Sequence, residues 1–279
     1  MKIVTFSCET ITPIFMYGAD GKTPELRPAS IKGVMRFWWR AINGDLSLDD
    51  LKKQEDEIFG STEKKSKLII YPIEIISESD FEISSTPHHK TGYCNQNNKN
   101  CFYRNKQCMK ANKKRAKIYE FNIKISTKNN KYLNKDSLIE LFKLSTLLGG
   151  FGQRSRRGFG SIRVIRIDNN KELYSLEKIE GFIENIPKFP NLTNQSYPYI
   201  RDIEFGKSYN SFEKLLETIG KASHDYSCDA LGYAKGKNRL ASSIYVSIFK
   251  LGENDFRPII TTLNIINNRK VTNFKKAIL

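Results

Sequence analysis

Residues 26–40 read Leu26-Arg27-Pro28-Ala29-Ser30-Ile31-Lys32-Gly33-Val34-Met35-Arg36-Phe37-Trp38-Trp39-Arg40. The pattern predicts a helix capped by Ser30, running to about Ile42 and stopped by Asn43-Gly44. At about 100° per residue, Ile31, Val34, Met35, Trp38, Ala41 and Ile42 share one side, a core face. Lys32, Arg36, Trp39 and Asn43, with Arg40 at the edge, share the other, a basic face with an aromatic among its charges.

Strands and a second helix surround this one. Lys2 to Phe6 reads as a strand, and Ile11 to Tyr17 as its continuation, before a turn-rich loop, Gly18 to Pro24, in which Asp20 is a loop residue. Leu48 to Phe59 predicts an acidic amphipathic helix ending at Gly60, and Lys67 to Ile76 a strand. In Lys117 to Ser126, Tyr119, Phe121, Ile123 and Ile125 alternate with Ile118, Glu120, Asn122 and Lys124, a strand with two unlike faces. Asp136 is placed to cap a helix to Leu148, with Gly149 beyond its end, and Ser161 to Ile167 closes the series as a strand. The order strand, helix, strand, strand, helix, strand is that of a ferredoxin-like α+β module over residues 1–170, interrupted by an irregular basic insert at about 84–116. Pro187 to Pro198 reads as a connector, Phe212 to Ile219 as a helix, and Leu240 to Lys250 and Arg257 to Ile266 as strands. Residues 171–279 are thus expected to form a second, smaller α+β module.

The chain has 279 residues, with 46 Lys+Arg against 30 Asp+Glu and a net charge of +16, so an anionic partner is expected and nucleic acid comes first. Lysine, asparagine and isoleucine are abundant together, as AT-rich codons alone produce; clustered arginine is the sharper signal. No apolar run approaches the ~20 residues of a membrane helix, and the start shows no signal-peptide cleavage site. A cytoplasmic protein with no membrane partner is expected. Five cysteines do not imply a disulfide framework.

The densest local signal is Gly149-Gly150-Phe151-Gly152-Gln153-Arg154-Ser155-Arg156-Arg157-Gly158-Phe159-Gly160-Ser161. Glycines let a backbone approach a ligand closely, and Arg154, Arg156 and Arg157 offer guanidinium forks for phosphates. Phe151 and Phe159 either stack on bases or pack beneath the loop. The loop is neither a P-loop, lacking Gly-Lys-Ser/Thr, nor a dinucleotide fingerprint, lacking the third glycine. Gly33, in the first turn of the first helix, leaves room for a phosphate near exposed amides.

These two segments together resemble the RAMP superfamily of CRISPR effector complexes, and within it the first-subunit family of the type III-B (Cmr) complex. The resemblance rests on Thr12-Pro13-Ile14-Phe15 with Gly18-Ala19, Leu26 to Gly33, Arg36-Phe37-Trp38-Trp39-Arg40-Ala41, Ile58-Phe59-Gly60, the loop 149–160, and Arg239-Leu240-Ala241-Ser242. It is dense to about residue 170 and sparse beyond. It implies tandem ferredoxin-like, RRM-related modules and an RNA-binding subunit without its own catalysis, seated near the 3′ end of the CRISPR RNA beside other Cmr-complex subunits and holding the guide–target duplex. Lys32, Arg36, Trp39, Arg40, Gly150, Gly152, Gln153, Arg154, Arg156 and Arg157 are the expected RNA-binding residues. The chain is shorter than the resemblance leads one to expect.

The insert departs from that pattern. His88 or His89 with Cys94, Cys101 and Cys108 supplies one imidazole and three thiolates, a tetrahedral set for a structural zinc. The six-residue gaps are looser than the usual Cys-x2-Cys, and a basic insert with free cysteines is the alternative. No cofactor is otherwise required. From Arg104 to Lys117 there are seven basic residues and no acidic one, either further phosphate contacts or a solvated charge run. Cys8 and Cys228 read as packed thiols. A metal-independent RNA-processing endoribonuclease is the alternative function; it needs a general acid/base from His88, His89 or His224. A nucleic-acid-binding module without RNA preference is the third.

Overall fold

The computed structural model describes residues 2–82, 115–128, 130–172, 174–193, 197–235, 238–264 and 269–279. The first sheet is antiparallel, built on β1 (Lys2–Thr10), which pairs with β4 (Arg115–Thr127) on one side and β5 (Ile162–Ile167) on the other. Beyond β4 lie β2 (Leu68–Ile70) and β3 (Glu74–Glu82), and beyond β5 the short β6 (Asn170–Lys171). Two helices, α1 (Pro28–Ala41) and α3 (Lys135–Leu148), join these strands in the expected βαββαβ order. The sequence-predicted acidic helix is α2 (Leu48–Phe59). Ser47 caps it by accepting from the Asp50 amide, with Asp49 and Asp50 in its first turn.

The second sheet has the order β10 (Ile244–Gly252), β11 (Asp255–Leu263), β7 (Ile200–Phe205), all antiparallel. It carries α5 (Phe212–Asp225) and α6 (Arg269–Ile278). A hairpin of β8 (Tyr233–Lys235) and β9 (Asn238–Leu240) precedes β10, and α4 (Leu176–Glu184) connects the halves.

Three buried clusters define the layers. Val4, Phe6 and Cys8 of β1 and the alternating Tyr119, Phe121, Ile123 and Ile125 of β4 pack on Ile31, Met35 and Trp39 of α1 and on Leu138, Leu141 and Phe142 of α3. The opposite flanks of the same two helices, through Trp38, Ala41, Leu144 and Leu148, pack with Ile179 and Ile183 of α4 on Tyr245, Phe249 and Ile259 of the second sheet. The far face of that sheet, with Ile244, Val246 and Ile248, packs on Leu215 and Ile219 of α5 and Phe274 of α6. β10 is therefore buried on both faces and reads as a nearly unbroken apolar run rather than an alternating one.

Several boundaries differ from the sequence-based expectations for local reasons. α1 begins at Pro28, whose missing N–H belongs at a helix start, and Ser30 lies inside it. α3 is capped by Asn134 in a capping box with Ser137, not by Asp136. Pro72 separates β2 from β3, which therefore do not form one strand over 67–76. Past β1 the chain does not continue as a strand but keeps two isolated bridges, Ile14 to Lys117 and Tyr17 to Pro24. Cys8 is fully buried, and desolvation pushes its thiol pKa up. α4, β7 and α6 carry no expectation from the sequence.

Candidate nucleic-acid interface

The glycine loop folds back on itself. The Phe151 amide donates to Gly160 O (2.9 Å), the Gln153 amide to Phe15 O (2.8 Å), the Gly160 amide to Pro13 O (3.0 Å) and the Gly158 amide to Val246 O (2.7 Å). Gly158 and Gly160 have φ of 82° and 69°, and a Cβ at Gly160 would collide with Phe151 O. At Gly150 and Gly152 a Cβ would run into Phe159 O and Phe15 O. The close approach these glycines allow is thus that of the protein to itself. Phe151 and Phe159 are buried beneath the loop, Phe159 with its ring 5.3 Å from that of Phe15.

The three arginines part company. Arg157 is buried, and its guanidinium reaches into the second half of the chain. Nη1 donates to Ser242 Oγ (3.2 Å) and Ile244 O (3.1 Å), Nη2 to Leu231 O (2.5 Å), with the Phe274 ring 5.5 Å away. Burial pulls its pKa down to about 10, so it stays charged at neutral pH. Arg156 donates to Ser242 O and lies 4.6 Å from the Tyr245 ring centroid. These two are struts between the halves. The Ser242 they grip ends the Arg-Leu-Ala-Ser element noted in the sequence. Arg154 differs: at φ 61° it turns out of the loop, half-buried over the Phe15 ring at 5.4 Å, with Gln153 exposed beside it. Among the described residues Arg154 has no carboxylate partner.

The basic face of α1 is partly claimed by α2. Glu55, 1% exposed, takes Arg40 Nε at 2.7 Å and Nη2 at 2.5 Å, and also pairs with Arg36 Nε. Trp39 is 5% exposed against the Phe59 ring, 6.1 Å between centroids, so it is a core residue and not a stacking platform. Two guanidiniums on one carboxylate leave a net positive charge, and both arginines keep 38% of their side-chain surface in solvent. Lys32 donates to Ser66 Oγ, and burial, then Arg36, lowers its pKa. Exposed Lys64 and Lys65, in the turn after α2, border an open groove with Arg36 and Ser66. Sequence reasoning passed over these two lysines and Glu55; the signal was a lone charge at a core-facing position of α2.

The segment Phe15–Tyr17 joins the two basic elements. Its first residue carries the glycine loop, through the Gln153 amide and the Arg154 stack. The next holds the start of α1: Met16 O accepts from the Glu25 amide and Met16 Sδ from the Arg27 amide. Arg27, at the N-cap, provides no side-chain cap; Pro28 has no N–H, and the Ser30 and Ile31 amides donate to Arg27 O at 3.0 and 3.2 Å, so the helix start presents mainly its positive dipole end. Gly33 follows, with open space where a Cβ would be.

His88, Cys94, Cys101 and Cys108, with His89 and the basic run from Arg104 to Lys114, lie outside the described residues. Lys117 pairs with Glu78 at 2.5 Å and is a cross-strand partner. His224 sits exposed near the end of α5. Asp20 folds its own turn, accepting from the Lys22 and Thr23 amides and Thr23 Oγ1, which pulls its pKa down to about 2. Among the described residues there is no cluster of metal-ligating side chains, and no helix is long and apolar enough to cross a membrane.

The sequence profile of the RAMP superfamily matches residues 7–163, from β1 into β5 and across both basic elements. The chain belongs to the RAMP superfamily. Subunit Cmr1-2 of the Pyrococcus furiosus CRISPR system Cmr is 34% identical to this RAMP chain over 177 residues, 57% of the chain and 93% of that subunit. Subunit Cmr1-1 of the same organism is 25% identical over 228 residues, 77% of the chain and 64% of that longer subunit. The crystal structure of apo Cmr1 from P. furiosus matches with a TM-score of 0.62 at 20% identity, covering 100% of this chain and 96% of that one. A chain of a type III-B Cmr-beta complex bound to cognate target RNA matches with a TM-score of 0.61 at 13% identity, covering 99% of both. The likeness of fold to these chains thus extends over the whole chain, including the half in which the sequence resemblance is sparse.

Proposed function

We propose that this RAMP protein is a non-catalytic RNA-binding subunit of a type III-B CRISPR ribonucleoprotein, holding CRISPR RNA or the guide–target duplex near the guide 3′ end beside other Cmr subunits. The observation that carries this reading is the joining, through Phe15–Tyr17, of the Arg154 loop and the uncapped start of α1. One gives a guanidinium on an aromatic and the other the positive end of a helix dipole, and both suit a phosphate backbone without reading its bases. The 34% identity to a Cmr1 subunit supports the same assembly.

The test is binding of a fluorescent single-stranded RNA across a salt series, with duplex DNA as competitor. Arg154→Ala with Lys32→Ala is expected to weaken binding about tenfold and to flatten the log–log salt slope by about 1 for each phosphate no longer neutralised. Unchanged affinity and slope would place this face against a protein. Strong competition by DNA would favour a general nucleic-acid module.

A further inference from the structure

A cavity of about 290 Å³ lies between the two halves, walled by α3, β5, β6, α4 and β10, with none of the residues of the proposed RNA face in its lining. Five cations line it: Lys143, Arg163, Lys171, Lys178 and Lys250. Two carboxylates oppose them. Glu172 takes Lys143 Nζ at 2.9 Å, and Glu9, behind the wall, takes Arg163 Nη2 at 2.6 Å. Lys171 and Lys178 are exposed at the edge and have no carboxylate partner among the described residues. The charge is therefore in excess, and the excess lies where a ligand would enter.

Arg163 closes the inner end, its Nη1 donating to Lys250 O at 3.2 Å. The rest of the wall is apolar and aromatic, with Phe182 under the Lys143 ammonium at 5.7 Å and Phe249 opposite in the junction core. Tyr174 completes the aromatic side.

We infer that this cavity binds one nucleotide unit, its phosphate on the Lys143, Arg163, Lys171 and Lys178 cluster and its base on the Phe182 side. Inorganic polyanions would leave the aromatic wall unused, and a neutral aromatic would leave the cations unpaired. The volume is at the small end for ligand sites, which suits a single nucleotide and excludes a duplex. A free mononucleotide and the phosphorylated end of an RNA strand share this chemistry. The inference does not rest on the RNA face proposed above.

Calorimetric titration of the full chain with AMP, adenosine and inorganic phosphate tests it. AMP is expected to bind saturably, with adenosine and phosphate each at least about tenfold weaker, the scale of losing charge-assisted hydrogen bonds or the aromatic contact. Lys171→Glu with Lys178→Glu, both at exposed positions, is expected to weaken AMP about tenfold or more at unchanged melting temperature. Phe182→Ser, in contrast, is expected to weaken AMP and adenosine alike. A short RNA with a terminal phosphate then distinguishes the sources. Displacement of AMP assigns the site to a strand end; binding of that RNA without displacement assigns it to free nucleotides. No saturable AMP binding at millimolar concentration, or AMP binding that survives both variants, would overturn the inference.

Discussion

Arg154 and Arg157 stand three residues apart in one loop and have opposite fates. The positive φ at Arg154 turns its side chain outward over Phe15, whereas Arg157 enters a buried site in which carbonyls and Ser242 Oγ satisfy its donors. Arg157→Ala is expected to cost about 3 kcal/mol, because it strands buried acceptors and opens a void, and urea unfolding would measure it. Arg154→Ala should leave the unfolding free energy from urea within about 0.5 kcal/mol of wild type while weakening RNA binding. A stability loss as large as that of Arg157→Ala would make Arg154 a strut as well. The neighbouring tryptophans divide in the same way. Trp39 packs on Phe59 beside the first sheet, and Trp38 packs edge-on against Tyr245 of the second at 5.1 Å.

Two glycines test what each element is for. Gly33 lies in a helix with nothing near its missing Cβ, so Gly33→Ala should raise stability by about 0.5–1 kcal/mol through helix propensity. If a phosphate approaches the start of α1, the same methyl group lowers RNA affinity, and the two readings come from one protein sample. Gly160→Ala meets Phe151 O at a positive φ and is expected to prevent the loop from closing, with a melting temperature far below wild type. The α1–α2 pair is held by Glu55, whose removal would leave Arg36 and Arg40 without their buried carboxylate. Glu55→Ala should therefore destabilise by about 3 kcal/mol in thermal unfolding, more than an exposed ion pair could account for.

At the scale of the whole molecule, α1 and α3 serve two sheets at once. Their opposite flanks belong to different cores, and Arg156 and Arg157 cross between the halves beside them. The chain is expected to unfold in a single calorimetric transition for that reason. Trp38→Ala should cost about 3–5 kcal/mol and broaden or split the transition, since it removes the largest side chain of the shared core. A clean two-state loss of the same size would mean that the halves remain coupled through the arginines alone.

Local physics written into single segments decided much of this protein. Apolar periodicity determined α1, α2, α3 and the alternating β4, and the βαββαβ order followed from their succession. The arginines of one glycine-rich loop stood out in the sequence as phosphate ligands, and the quoted motifs pointed to the RAMP superfamily; that Arg156 and Arg157 join the two halves appears only in the fold. The short elements β7, α4 and α6 were not legible, because segments of this length are stable only against a partner that a sequence does not display. Only the tertiary structure decided which charges remain for a ligand. A helical wheel gives Arg36, Trp39 and Arg40 a solvent face, but α2 folds over it and supplies Glu55. A loop sequence offers three equivalent arginines, but desolvation is tolerable only where carbonyls already wait, and that holds for Arg157 and not for Arg154.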